Sequence, residues 1–147
     1  MADAPRRADA VWHGPLGRGS GEVSLMTSGA AGPLPVTWAS RTERSNGKTS
    51  PEELVAAAHA SCYCMALSNI LDEAGAPPEK LETSVTVTFK EVEGGWKTGT
   101  SEITVKGWVP GMDEATFQKA AEDAKDGCPI SGALKGNVEL SVTASLA

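Results

Sequence analysis

Between Ser50 and Gly75 the chain reads SPEELVAAAHASCYCMALSNILDEAG, and this stretch restricts the fold more than any other. Ser50 is a good N-cap, Pro51 suits the first helical position, and Glu53 completes a capping box. The pattern predicts a helix to about Ala74, stopped by Gly75 with two prolines beyond. Leu54, Val55, Ala56 to Ala58, Ala60, Tyr63, Met65, Ala66 and Leu67 leave almost no polar face. A helix that is apolar all round has to be covered all round. One chain of 147 residues has little material for that, so the helix is expected between two sheets or between two protomers. Its apolar run, Leu54 to Leu67, is about fourteen residues with His59 inside. A membrane span needs roughly 20, so the run reads as a core segment and no membrane association is expected.

The flanking sequence predicts sheet. AVWHG, GEVSLMTSG and LPVTW, all before residue 40, read as short strands broken by Gly and Pro, and RTERSNGKT (41–49) as a polar loop. KLETSVTVTFKEVE (80–93) alternates, with Thr83, Val85, Val87 and Phe89 on one face. EGGW turns it back into a second alternating strand over 100–109. A helix over 112–127, capped by Asp113, buries Phe117, Ala120, Ala121 and Ala124. A last strand over 137–145 points Val138, Leu140 and Val142 inward. The expected class is α+β with antiparallel sheet, in one domain over 10–147 after a flexible tail over 1–9.

A net charge of −6 without a basic cluster argues against nucleic acid as a partner. MADAPRRADA lacks the apolar core of a secretory signal. Three cysteines, an odd number, fit a reducing compartment, and a cytoplasmic location is expected. No dinucleotide-binding, phosphate-loop or nucleophile-elbow pattern occurs.

The cysteines carry the remaining chemistry. On an apolar helix the bland reading of Cys62 and Cys64 is two small core residues. Two apart on a helix, they point roughly 200° from one another and cannot bridge within it. Any disulfide within the chain therefore uses Cys128. In GCPISGAL, Cys128 reads as the N-cap of a short helix with Pro129 first, where unpaired backbone N–H groups favour a thiolate. Cys62 has no such help. Its apolar surroundings raise its pKa, and no Lys or Arg lies between Thr49 and Glu79. A cation would have to come from elsewhere, with Arg41 and Arg44 nearest in sequence. His59, one turn before Cys62, is open to three readings: a base, a metal ligand, or a histidine hydrogen-bonded into a helix interface. A zinc site from His59, Cys62 and Cys128 lacks paired C-x-x-C spacing and a fourth ligand.

SPEELVAAAHASCYCMAL with GCPISGAL far downstream closely resembles the OsmC branch of the OsmC/Ohr organic hydroperoxide reductases. VWHGPLGRGSGEVS, the Arg after GPLPVTWAS and VPGMDEATFQKAAEDAKDGCP extend the resemblance over about residues 10–145. It implies an intertwined homodimer whose sheets wrap two central helices, with active sites at the interface. It makes Cys62 the peroxidatic cysteine, Cys128 the resolving cysteine, and Arg41 and Glu52 a paired active-site arginine and glutamate. The loop from Arg41 to SPEEL is about one residue longer than the pattern, which keeps Arg44 as an alternative. Cys64 stands where relatives often carry Ser and receives no role. The resemblance implies reduction of organic hydroperoxides, and of hydrogen peroxide, through a Cys62 sulfenic acid and a Cys62–Cys128 disulfide. No bound cofactor is implied. The reductant would be an external dithiol of dihydrolipoyl type, free or on a lipoylated protein. The competing readings are a metal-binding protein and a structural domain with inert cysteines.

Overall fold

The long apolar helix forms where its caps place it, and it is unbroken. The structure, a computed structural model, describes residues 2–147. The chain divides into two compact units, one up to Pro51 and one over Glu52–Ala147.

The first unit is a sheet in the order β1 (Ala8–His13), β2 (Ser20–Leu25), β3 (Leu34–Val36), followed by the short helix α1 (Trp38–Thr42). Both strand pairings are antiparallel. Three sequence expectations are corrected here. Ala8 and Asp9, assigned to a flexible tail, pair with Leu25 and Ser24. The strand expected over LPVTW stops at Val36, because Thr37 caps α1. Its side chain accepts from the Ser40 N–H, and the Ser40 hydroxyl accepts in return from the Thr37 N–H. Arg41, expected in a strand or loop, therefore stands on the last turn of a helix. The signal was a capping box with Ser in place of Glu, ahead of a helix of only five residues.

The second unit is built on α2 (Pro51–Glu73). Its end is fixed by Gly75, at φ +79. The Gly75 N–H donates to the Asp72 carbonyl and the Ala76 N–H to the Leu71 carbonyl. This closure needs a left-handed residue that glycine supplies without a Cβ clash. Then follow β4 (Lys80–Val92), β5 (Gly95–Trp108), α3 (Glu114–Gly127), α4 (Pro129–Leu134) and β6 (Glu139–Leu146). The sheet order is β4-β5-β6. The hairpin β4–β5 is antiparallel, as expected. β6 pairs parallel to β5, which corrects the all-antiparallel expectation. The reason is topological. Two helices carry the chain back across the sheet, and a strand reached by such a crossover runs the same way as the one it left.

The core lies where α2, β5 and α3 meet. Tyr63, Leu67 and Leu71 enter from α2, Ile103 and Val105 from β5, and Phe117, Ala121 and Ala124 from α3. Tyr63 is held protonated by burial, and its hydroxyl donates to the Ala121 carbonyl at 2.9 Å. Gly107 makes room for the Phe117 ring, whose edge would lie 2.5 Å from a Cβ at that position. The α2 residues in this core recur at every fourth position from His59, so they form one stripe. The opposite stripe, Ala58, Ser61, Met65 and Asn69, is exposed, with Met65 at 72 %. Measured as a whole helix, α2 exceeds the fourteen-residue run. Its best 18-residue window has a mean hydropathy of 1.5, enough in length and composition to cross a membrane, and 22 % of that window is buried within the chain.

Candidate active site

Cys62 and Cys128 meet. Their Sγ atoms are 2.9 Å apart, too far for the 2.03–2.05 Å of a covalent S–S bond and close enough to share a hydrogen. Cys62 projects from the middle of α2. Cys128 ends α3 and caps α4, with its backbone N–H on the Ala124 carbonyl and its carbonyl accepting from Gly132. Pro129, which has no N–H to lose, lets α4 start immediately after it. Cys128 is 1 % exposed, whereas Cys62 is half-buried and so the more accessible thiol.

Burial is the largest influence on Cys62 and raises its pKa. The hydrogen bond shared with the adjoining Cys128 sulfur raises it further, and repulsion between the two sulfurs adds a smaller increase. The Ile130 N–H, hydrogen-bonded to the Cys62 sulfur from the first turn of α4, acts in the opposite direction. As the sequence indicated, this unit alone favours the thiol at Cys62. Cys64 turns away, and its Sγ donates to Thr83 Oγ1 on β4 at 3.1 Å.

His59 lies fully buried one turn before Cys62. Its Nδ1 is 2.7 Å from Ser101 Oγ on β5, and its Nε2 is 2.7 Å from Ser131 Oγ on α4. A neutral imidazole has one donor and one acceptor, and each serine hydroxyl can take either part. Burial lowers the His59 pKa and keeps the ring neutral. Both nitrogens are committed, so His59 is not a base for Cys62; the hydrogen-bonded-interface reading holds. Below the ordinary pKa of 6.5, the unfolded chain takes up a proton that folded His59 does not. Stability contributed by His59 is therefore complete above that pH and is lost as pH falls toward the depressed folded value. Urea midpoints are expected to drop from about pH 7.5 to about pH 5, and to drop less in His59→Gln. Equal slopes in the two proteins would contradict this.

Glu52 is buried in the first turn of α2. The helix between Glu52 and Cys62 is continuous, so ten residues separate them by about 15 Å along the axis and about 80° around it. The two side chains of one helix do not share a small site. In the first unit, Arg41 is half-buried and lines a mainly apolar groove of about 320 Å³ with Trp12, Leu16, Val36, Trp38 and Pro51. Arg44 is exposed beyond the end of α1. Among the described residues no group of three or more His, Cys, Asp or Glu is placed to hold a metal ion.

Residues 44–143 match the family of OsmC-like proteins. Peroxiredoxin OsmC of Escherichia coli (strain K12) is 38 % identical over 135 residues, 92 % of this chain and 93 % of its own. This chain belongs to the OsmC-like family. An organic hydroperoxide resistance protein of Xanthomonas axonopodis pv. citri is 32 % identical over 97 residues, 65 % of this chain and 66 % of its own. The fold agrees with solved OsmC-like structures. The organic hydroperoxide resistance protein OhrB of Bacillus subtilis superposes with a TM-score of 0.74 at 23 % identity, over 95 % of this chain and 98 % of that one. An organic hydroperoxide resistance protein OsmC from Legionella pneumophila gives 0.73 at 24 % identity, over 97 % and 99 %. In this OsmC-like chain, sequence reasoning brought out both cysteines and His59 but missed Ser101 and Ser131. Alternation marks Ser101 as inward, and Ser131 follows Cys128 by three. Neither signal shows that the two hydroxyls converge on one imidazole.

Proposed function

We propose that this protein is a cysteine-based peroxidase that reduces organic hydroperoxides, and hydrogen peroxide, to alcohols and water. The observation that carries the reading is the 2.9 Å approach of the accessible Cys62 to the buried Cys128. Cys62 as thiolate attacks the terminal oxygen of ROOH. The O–O bond breaks, ROH leaves, and Cys62 becomes a sulfenic acid. Cys128 then attacks that sulfur; the S–O bond breaks, the S–S bond forms, and water departs. The disulfide withdraws Cys62 from further oxidation to the irreversible sulfinic acid. An external dithiol, of dihydrolipoyl type and free or on a lipoylated protein, restores both thiols by exchange. Neither step calls on a bound cofactor. The odd cysteine count supports a reducing, cytoplasmic setting.

Arg41 is the cation that favours the Cys62 thiolate, and Glu52 is the carboxylate that orients it. The family pattern supports these roles, with Arg44 as the alternative cation. A second copy of the chain completes the site. Two observations support a homodimer. α2, although apolar over most of its length, leaves one stripe exposed with Met65 at 72 %, and its unbroken course keeps Glu52 about 15 Å along the axis from Cys62 of the same helix. Glu52 and Arg41 then serve the Cys62 of the partner subunit.

The direct test is consumption of cumene hydroperoxide by purified protein with dihydrolipoamide. Catalytic turnover is expected; none in protein with titratable thiols would favour inert cysteines. In Arg41→Ala the thiolate absorbance of Cys62 should appear at higher pH, with Arg41→Lys intermediate because Lys lacks the planar fork that pairs with a carboxylate. An unchanged titration would move the role to Arg44.

A further inference from the structure

The Cys62–Cys128 approach is matched by a second link one turn along. His59 and Cys62 are three apart on α2; Cys128 and Ser131 are three apart at the start of α4. The sulfurs meet at 2.9 Å, and His59 Nε2 meets Ser131 Oγ at 2.7 Å. All four side chains face the same contact between the two helices. The other ring nitrogen is tied to Ser101 on β5, at 2.7 Å, so the imidazole is held in place from the sheet side.

α4 has few other means of holding its position. It is six residues long, too short to be stable from its own backbone bonds, and its only buried residue is Ser131. Its cap, Cys128, makes no side-chain capping bond. Burial of a hydroxyl without a partner is unfavourable, so Ser131 stays inside because His59 receives it.

From this geometry we infer that the Ser101–His59–Ser131 bridge is a positioning device for the resolving step: it holds α4 against α2 so that Cys128 stands within reach of the Cys62 sulfenic sulfur. His59 and Ser131 touch neither peroxide nor the reacting sulfurs; they act through the placement of Cys128. The inference rests on the assignment of Cys62 and Cys128 made above.

The step concerned is Cys62–SOH plus Cys128–SH giving the disulfide and water. Its competitor is a second ROOH attacking the sulfenic acid, which yields the sulfinic acid and ROH. Attack within the protein wins when Cys128 is already near its reaction geometry, and a displacement of about 1 Å is enough to cost orders of magnitude in such a step. Formation of the disulfide from 2.9 Å requires the sulfurs to close by less than about 1 Å. Loss of the bridge slows the first oxidation only as far as the Ile130 N–H of α4 moves off the Cys62 sulfur, and weakens the resolving step more.

The test uses full-length Ser131→Ala and Ser101→Ala. Each removes one hydroxyl from the same imidazole, so each is a control for destabilisation by the other. Reduced protein is mixed with graded cumene hydroperoxide, and the Cys62 sulfinic acid and Cys62–Cys128 disulfide are quantified by mass spectrometry. Ser131→Ala is expected to raise the sulfinic-to-disulfide ratio about fivefold to tenfold, with the rate of first thiol loss falling by a smaller factor, because the Ile130 N–H also reaches Cys62 from α4. Ser101→Ala is expected to raise it less at comparable loss of urea stability. His59→Gln, whose amide nitrogen can reach the Ser131 side, should resemble wild type more closely than His59→Asn, whose shorter amide falls on the Ser101 side. Wild-type ratios in Ser131→Ala, or equal ratios in the two serine variants, would overturn the positioning role while leaving the peroxidase reading intact. Absence of any disulfide in wild-type protein would instead remove the reading on which it rests.

Discussion

Replacing Cys62 with Ser is expected to abolish turnover of cumene hydroperoxide, by at least about a thousandfold, because a serine hydroxyl at neutral pH is no substitute for a thiolate at a peroxide oxygen. Cys128→Ser is expected to behave differently. Its Cys62 still takes one oxygen, so a single equivalent of peroxide is consumed. Turnover then stalls or Cys62 passes to the sulfinic acid, unless an added thiol resolves the sulfenic acid from solution. Cys64→Ser should lie within about twofold of wild type. Its sulfur points to Thr83 rather than to Cys128, and Ser can keep that bond. The three variants together separate the roles. Loss of activity in folded Cys64→Ser, or full turnover in Cys128→Ser without added thiol, would contradict the assignment.

The second large effect concerns the source of Glu52. Cys62→Ser and Glu52→Ala should each be inactive or nearly so as homodimers. If Glu52 of one subunit serves Cys62 of the other, a mixed dimer has one site with both lesions and one site with neither. Purified heterodimers are then expected to regain about half the wild-type specific activity. If both residues belonged to one subunit's site, each site would carry a lesion and nothing would return. Glu52 could reach a Cys62 site in two ways: through a break in the helix near Ala56, or from a second subunit. The continuous course of α2 from Pro51 to Glu73 removes the first.

The features legible in advance are those set by local physics. The ends of α2 follow from Pro51 and Gly75, the start of α3 from Asp113, and the short α4 from Cys128-Pro129. The β4–β5 hairpin follows from alternation on either side of EGG, although β5 begins at Gly95 rather than at residue 100. The features that escaped depend on partners distant in sequence. Alternation in β6 marks an inward face but carries no direction, so its parallel pairing with β5 was not readable. α1 escaped because five residues yield no helical period. At the site, apolar surroundings correctly indicated a raised pKa for Cys62, and its cause is burial reinforced by Cys128. The opposing Ile130 N–H was not foreseen, because it depends on α4 lying against α2. For the same reason a histidine with three open readings became, in the fold, a neutral bridge between two serines.

The central claim is that Cys62 and Cys128 are one redox pair. Fully reduced protein treated with one equivalent of cumene hydroperoxide, alkylated, digested and analysed by mass spectrometry tests it most directly. The account expects near-stoichiometric peptide pairs joined through Cys62 and Cys128, with Cys64 recovered alkylated. Recovery of all three cysteines as alkylated thiols, or a disulfide that uses Cys64 instead, would contradict it.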